Sequence, residues 1–167
     1  MFVLLKTFLC VDIIMEGQIR SNFKKAMNDL IEKACEQEKL HDNDIDWIIR
    51  LTEELVIRIN SLTPTRTDLH IQLQQSIDLT LMKQMLANQA FDESDFKQVV
   101  DTFINRLKLL CAPSQDSTLI TLHQHLFQMP FAKAIPYMIM QCNEIIDEIK
   151  RLETQFKESV KNGTFKF

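Results

Sequence analysis

The chain has 167 residues, of which 46% are hydrophobic and 25% charged, so it is long enough for one domain with a continuous core and too apolar to stay disordered. Its net charge of -4 argues against general nucleic-acid binding, which needs a basic face to displace phosphate counterions. With only Gly17 and Gly163 as glycines, the positive-φ turns of β hairpins, phosphate-cradling loops and nucleophile elbows have almost nothing to be built from, and helices remain.

Residues 1–14 are an apolar run interrupted by Lys6 and Asp12. No small-x-small cleavage site follows, and the run is too short to span a bilayer. It reads as an over-extended start ahead of Met15-Glu16-Gly17, or equally as a short buried or interfacial helix. Residues 15–160 read as a helical domain. From Gln18 to about Leu40, Ile19, Phe23, Met27, Leu30 and Ala34 form one apolar stripe, and His41-Asp42-Asn43-Asp44 then turns the chain. The next helix, about Asp44 to Leu62, puts Ile48, Leu51, Leu55, Ile59 and Leu62 on one side. Trp47, Ile49, Val56 and Ile57 widen that surface, as burial against several neighbours would require.

Thr63-Pro64-Thr65-Arg66 ends this helix, because the residue before a proline is pushed out of the α region. A third helix runs from Arg66 or Thr67 to about Gln89, with Leu69, Leu73, Ile77 and Leu81 inward and Gln72, Gln74, Gln75 and Gln84 outward. Asp92 then stands as an N-cap, Asp95 completes a capping box, and Phe91 and Phe96 form a staple pair. The helix behind it buries Phe96, Val99, Val100, Phe103, Leu107 and Leu110, and Pro113 stops it. Gln115 to Gln128 is a shorter helix with Leu119, Leu122 and Leu126 inward. Met129-Pro130 breaks the run, and Pro136 marks the start of the last helix. There Met138, Cys142, Ile145, Ile149, Leu152 and Phe156 recur every three or four residues, with Asp147–Arg151 and Glu153–Lys157 as i,i+4 pairs on the solvated side. Residues 161–167 are a frayed tail.

Little in this pattern carries chemistry. Cys10, Cys35, Cys111 and Cys142 lie far apart among apolar neighbours, which fits a reducing compartment without a disulfide framework. His123 and His125 point to different faces of a helix, and His41 and His70 have no ligand spacing, so no metal is expected. Glu53-Glu54 and Asp92-Glu93 read as a solvated face and a cap. The basic doublets Lys24-Lys25 and Lys150-Arg151 have acidic company and read as solvated faces. No serine sits in a GxSxG setting. No catalytic, cofactor-binding or metal-binding residue is assigned, and no cofactor is expected.

One stretch carries a resemblance. Leu73-Gln74-Gln75-Ser76-Ile77-Asp78-Leu79, Met82-Lys83-Gln84, Ala90-Phe91-Asp92 and Phe103-Ile104 lead to Leu110-Cys111-Ala112-Pro113-Ser114-Gln115-Asp116. Leu69 to Asp116 resembles the T-complex protein 11 family in this order of elements, with a looser likeness back to Ile48. Gln115 stands where the family has a basic residue, and the segment after Thr118 matches the family's later helices poorly, so the chain looks like a shortened, divergent relative. The resemblance implies an all-helical, non-catalytic protein. Family members are associated with modulation of cyclic-AMP and protein kinase A signalling, prominently in sperm.

Two segments are candidate partner surfaces. In the family motif, Leu110, Cys111, Ala112, Pro113 and Asp116 read first as structure: Leu110 and Cys111 finish a stripe, Pro113 stops the helix, and Ser114 or Asp116 caps the next. The other reading is a turn that faces a partner. The last helix, through Met138, Cys142, Ile145, Ile149, Leu152 and Phe156, reads first as packing on its own domain, and otherwise as a docking helix or homodimer seam. The expectation is a single all-α domain of about six helices, mostly antiparallel because their connections are short. It would be a cytoplasmic, non-enzymatic interaction module without nucleic acid or stable membrane insertion, a regulatory or adaptor protein of intracellular signalling with protein partners. The alternatives are a helical-bundle groove that binds an amphipathic partner helix, as in apoptosis regulators, and an enzyme with a dispersed site.

Overall fold

The computed structural model describes residues 41–163 together with Asn22 and Lys25. The apolar segment 1–14, most of the helix expected over 18–40, Cys10, Cys35 and the tail beyond Gly163 lie outside the described residues. Every element among the described residues is helical, and none is a strand.

Helix α1 (Asp42–Ser61) has acidic residues in its first turn and Arg58 in its last, the charge order that complements a helix dipole. Ile48, Leu51, Leu55 and Ile59 are buried, as the stripe predicts, and so are Trp47 and Val56 from the widened face. Ile57 is instead exposed. α1 packs against three later helices, those over Thr67–Ser76, Leu79–Ala87 and Phe131–Lys161, which is why one stripe is not enough for it.

The third expected helix is two. α2 (Thr67–Ser76) stops at Ile77, whose backbone is extended at φ -119°, ψ 94°, and α3 (Leu79–Ala87) starts afresh. The cause is local: the Asp78 carboxylate accepts the Leu81 N–H at 3.0 Å and caps a new helix, while Ile77 drops into the core. Breaking the helix changes its register. Leu73 and Ile77 point inward as expected and Leu69 is half-buried, but Leu81, expected inward, is 51% exposed, with Met82 and Leu86 buried in its place. α3 closes with Gln89 in the left-handed region (φ 56°) and the Ala90 N–H bonded to Met85 O at 2.8 Å, a Schellman-type ending.

α4 (Glu93–Leu110) begins with the predicted capping box. Asp92 accepts the Asp95 N–H at 2.9 Å, and Asp95 accepts the Asp92 N–H at 3.1 Å. The Asp95 backbone N–H, and after it the Asp95 side chain, hold the Asp92 carboxyl below the usual carboxylate range. A folded-state value below the unfolded one, about 3.9, contributes stability that is complete above that pH and is lost as pH falls through the folded value. Wild type should therefore melt above D92N at pH 7, and the gap should narrow as pH falls below the unfolded carboxylate value of about 3.9. Parallel curves at every pH would mean that the cap holds no charge-dependent bond.

α4 buries Phe96, Val99, Val100, Phe103, Ile104 and Leu107. A 3-10 turn (Pro113–Gln115) leads into α5 (Asp116–Leu126), which buries Leu119, Leu122 and Leu126. The edge of Phe127 meets Phe96 with ring centroids 5.6 Å apart, tying α5 to α4.

α6 (Phe131–Lys161) starts five residues before the expected position and takes Pro136 inside it. An interior proline forfeits one backbone bond and costs about 3 kcal/mol. Burial on both sides offsets that, since Ala134, Ile135, Met138 and Ile139 are completely covered. The described residues hold six α-helices where five were expected, the extra one from the split at Ile77, so the estimate of about six for the whole chain is slightly off. α6 packs on α1, α4 and α5, α4 packs on α5, and α2 joins α1 to α4. The core is a single cluster with contributions from every one of these helices.

Candidate interaction surfaces

Two arginines lie inside the bundle. Arg58 interrupts the apolar run Val56-Ile57-Arg58-Ile59, which is the one sequence signal that something unusual faces inward there. It is 8% exposed, and its guanidinium spans α1 and α6: Nη1 donates to Asn143 Oδ1, and Nη2 to Asp147 Oδ1 at 2.5 Å. Asn143 Nδ2 in turn donates to Ile139 O at 3.0 Å. Burial, and then the nearby positive charge of Arg58, lower the Lys150 ammonium. Arg106 does similar work between α4 and α2, donating to Leu69 O at 2.9 Å and Gln72 Oε1 at 3.0 Å. Each guanidinium presents its donors in a planar fork to acceptors on another helix, so both groups pin helices together.

The Arg58 contacts divide α6. Up to Ile146 its apolar positions are core: Met138, Cys142 and Ile146 are fully covered, and Ile145 and Ile149 pack partly against the same cluster. Beyond that point the stripe continues outward, with Leu152 38%, Phe156 48% and Val160 43% exposed. A helix of 31 residues is about 46 Å long at 1.5 Å per residue. Among the described residues, the other helices cover little more than its first half. The heptad-like rhythm thus serves two environments, a difference that spacing alone cannot express.

In the Leu110–Asp116 segment, Leu110 and Cys111 are half-buried while Ala112, Pro113 and Ser114 face solvent. Asp116 opens α5, and Gln115 occupies the N-cap position without a side-chain capping bond, so the expected cap from Ser114 or Asp116 is not formed. The helix before it ended early: Cys111 is already extended at φ -83°, ψ 157°, the geometry for an approach to Ala112 and Pro113. Burial raises the Cys111 thiol, the Asp116 charge adding to the shift, and burial pushes Cys142 up to about 12. Since the thiolate is the reactive form, Cys142 should resist alkylation at pH 8 in the native state and react on unfolding in guanidinium, which peptide mass spectrometry would read. Fast native labelling of Cys142 would contradict its burial.

A groove of about 230 Å³ opens where α2 breaks. Its apolar lining comes from Ile77, Leu81, Met82, Met85, Phe91 and Val99, and its polar rim includes Asp78 and Asp95. Sequence reasoning missed it because a continuous helix over 66–89 would have turned Leu81 into the core. Elsewhere His123 Nε2 meets Asp101 Oδ1 at 2.7 Å, and His125 stacks edge-on with Tyr137, so the two histidines serve different neighbours. Among the described residues no group of three His, Cys, Asp or Glu side chains could hold a metal ion. No described helix is long and apolar enough to cross a membrane.

Comparison with known proteins extends the resemblance well beyond Leu69–Asp116. A family model described as T-complex protein 11 matches residues 10–157, which takes in α1 and most of α6 as well as the segment after Thr118. No curated protein and no solved structure matches the chain. With most of its length matched by that one model, the chain belongs to the T-complex protein 11 family.

Proposed function

We propose that the protein is a non-enzymatic helical interaction module, a cytoplasmic regulatory or adaptor protein of intracellular signalling. The observation that carries this reading is the outer half of α6, where Leu152 and Val160 extend the core stripe onto an exposed face. Apolar residues at that spacing on the surface of a long helix are what a partner helix packs on. Ala112, Pro113 and Ser114 supply a second exposed element, from the family motif itself. Membership of the family supports the class, and its association with cyclic-AMP and protein kinase A signalling makes that the first pathway to examine. A homodimer along α6 is the competing use of the same face. The reading as an enzyme with a dispersed site gains nothing from the buried charges, because Arg58 and Arg106 are spent in hydrogen bonds between helices.

The test is affinity purification of the tagged full chain from its native cells. A parallel L107E control removes the fold, because Leu107 is completely buried whereas Leu110 is not. A second variant, L152E/V160E, changes only exposed positions. Partners recovered by wild type and lost with L152E/V160E, whose circular dichroism stays native, are the expected result. Partners retained by L152E/V160E would move the surface away from α6, and a monomeric, folded wild type without any partner would overturn the module reading.

A further inference from the structure

The groove at the helix break is chemically one-sided. Its apolar lining contains two methionines, Met82 and Met85, side chains that adapt to differently shaped guests. Around the lining stand Gln75, Gln98, Asp78 and Asp95, with no lysine, arginine or histidine among the described lining residues. Both carboxylates are held in place by capping: Asp78 Oδ1 accepts the Leu81 N–H, and Asp95 Oδ2 accepts the Asp92 N–H. A carboxylate has two oxygens and room for several donors, so each keeps acceptor capacity beside the groove. The volume, about 230 Å³, is below the roughly 300–1,000 Å³ of small-molecule sites and suits one or two large side chains of a longer segment lying across the opening.

We propose that this groove is the docking site for a basic amphipathic helix of a protein partner, which inserts an apolar anchor over Leu81, Met85 and Phe91 and sets lysine or arginine against Asp78 and Asp95. This rests on the interaction-module reading and names the partner's chemistry. Charge complementarity selects the occupant: an acidic helix would place carboxylates against two fixed carboxylates, and a neutral one would leave them without cationic partners. The break at Ile77-Asp78 is what makes the site, because it turns Leu81 outward and at the same time supplies the first of the two acidic caps.

The probe is a fluorescein-labelled peptide of leucine and lysine, about 18 residues long, with leucines at helical spacing, titrated against the full chain by anisotropy. Its leucine–glutamate counterpart is the control. Asparagine also caps helices, so D78N/D95N removes charge and leaves the fold, and L81Q changes an exposed position. E153Q/E158Q makes the same charge change on α6, away from the groove. We expect saturable binding of the lysine peptide and none of the glutamate peptide. D78N/D95N and L81Q should each weaken binding about tenfold, and E153Q/E158Q less than about twofold. Absence of saturable binding overturns the proposal, whether residues 1–40, a second copy or nothing fills the groove. Equal losses from D78N/D95N and E153Q/E158Q overturn it as well, since they would reduce the effect to overall charge. In native-cell purification, partners recovered equally by wild type and D78N/D95N would overturn the groove while leaving the module reading intact. No partner with wild type would remove that reading, and the peptide titration would still decide the groove.

Discussion

Replacing Phe103 with alanine is expected to lower the unfolding free energy by about 3–5 kcal/mol, the largest effect of any single truncation considered. Phe103 is completely buried on α4, the helix that packs on both α5 and α6, and it is among the largest fully covered side chains. Truncation removes the transfer free energy of a ring and leaves a cavity that three helices can fill only by shifting their axes. Domains of this size have roughly 5–15 kcal/mol of stability in total, so the variant should unfold at a markedly lower urea midpoint with its slope unchanged. Leu109→Ala is the matched control: it lies six residues along the same helix but is 73% exposed, and it should change stability by less than about 0.5 kcal/mol. A loss under about 1 kcal/mol for F103A would mean that α4 does not sit at the centre of the core.

Arg58→Ala should cost nearly as much, about 3 kcal/mol, through a different mechanism. Its guanidinium satisfies Asn143 Oδ1 and pairs with Asp147, whose side chain is only 22% exposed. Removing the arginine leaves a partly desolvated carboxylate and a buried amide oxygen short of donors, and that penalty exceeds the net worth of the pair. Replacing all three groups together, as R58M/N143L/D147L, should therefore restore most of the loss. R58K should rescue poorly, because an ammonium cannot hold two acceptors in the planar fork that Arg58 presents. Urea unfolding of the four proteins checks this, and a triple variant as unstable as R58A would show that the network contributes more than the absence of unpaired groups. The experiment bears on function too, since Arg58 grips α6 just before the helix leaves the core.

Local features with short-range causes were legible in one dimension. The Asp92–Asp95 box could be read because all its partners lie within four residues, and the inward faces of α1, α4 and α5 because a long helix with one buried side imposes its period on the chain. The same logic failed where two local solutions compete. Gln72 to Leu81 supports an uninterrupted stripe, yet Asp78 also makes a good N-cap, and the choice depends on whether Ile77 has a core to enter. Pro136 marks a helix start on propensity alone, and only the burial of Ala134, Ile135, Met138 and Ile139 makes an interior proline tolerable.

By itself, then, the sequence determined the helical class, through near-absence of glycine and repeated 3.6-residue periodicity, and it pointed to the family through the Leu110–Asp116 string. Those properties are sums of local preferences and survive without knowledge of neighbours. Tertiary structure alone decided which part of the last helix is core and which is surface, where Arg58 and Arg106 find partners, and that a groove opens beside Leu81. Each of these depends on what stands opposite a residue, and apolar spacing is identical for a stripe that faces a neighbouring helix and one that faces solvent.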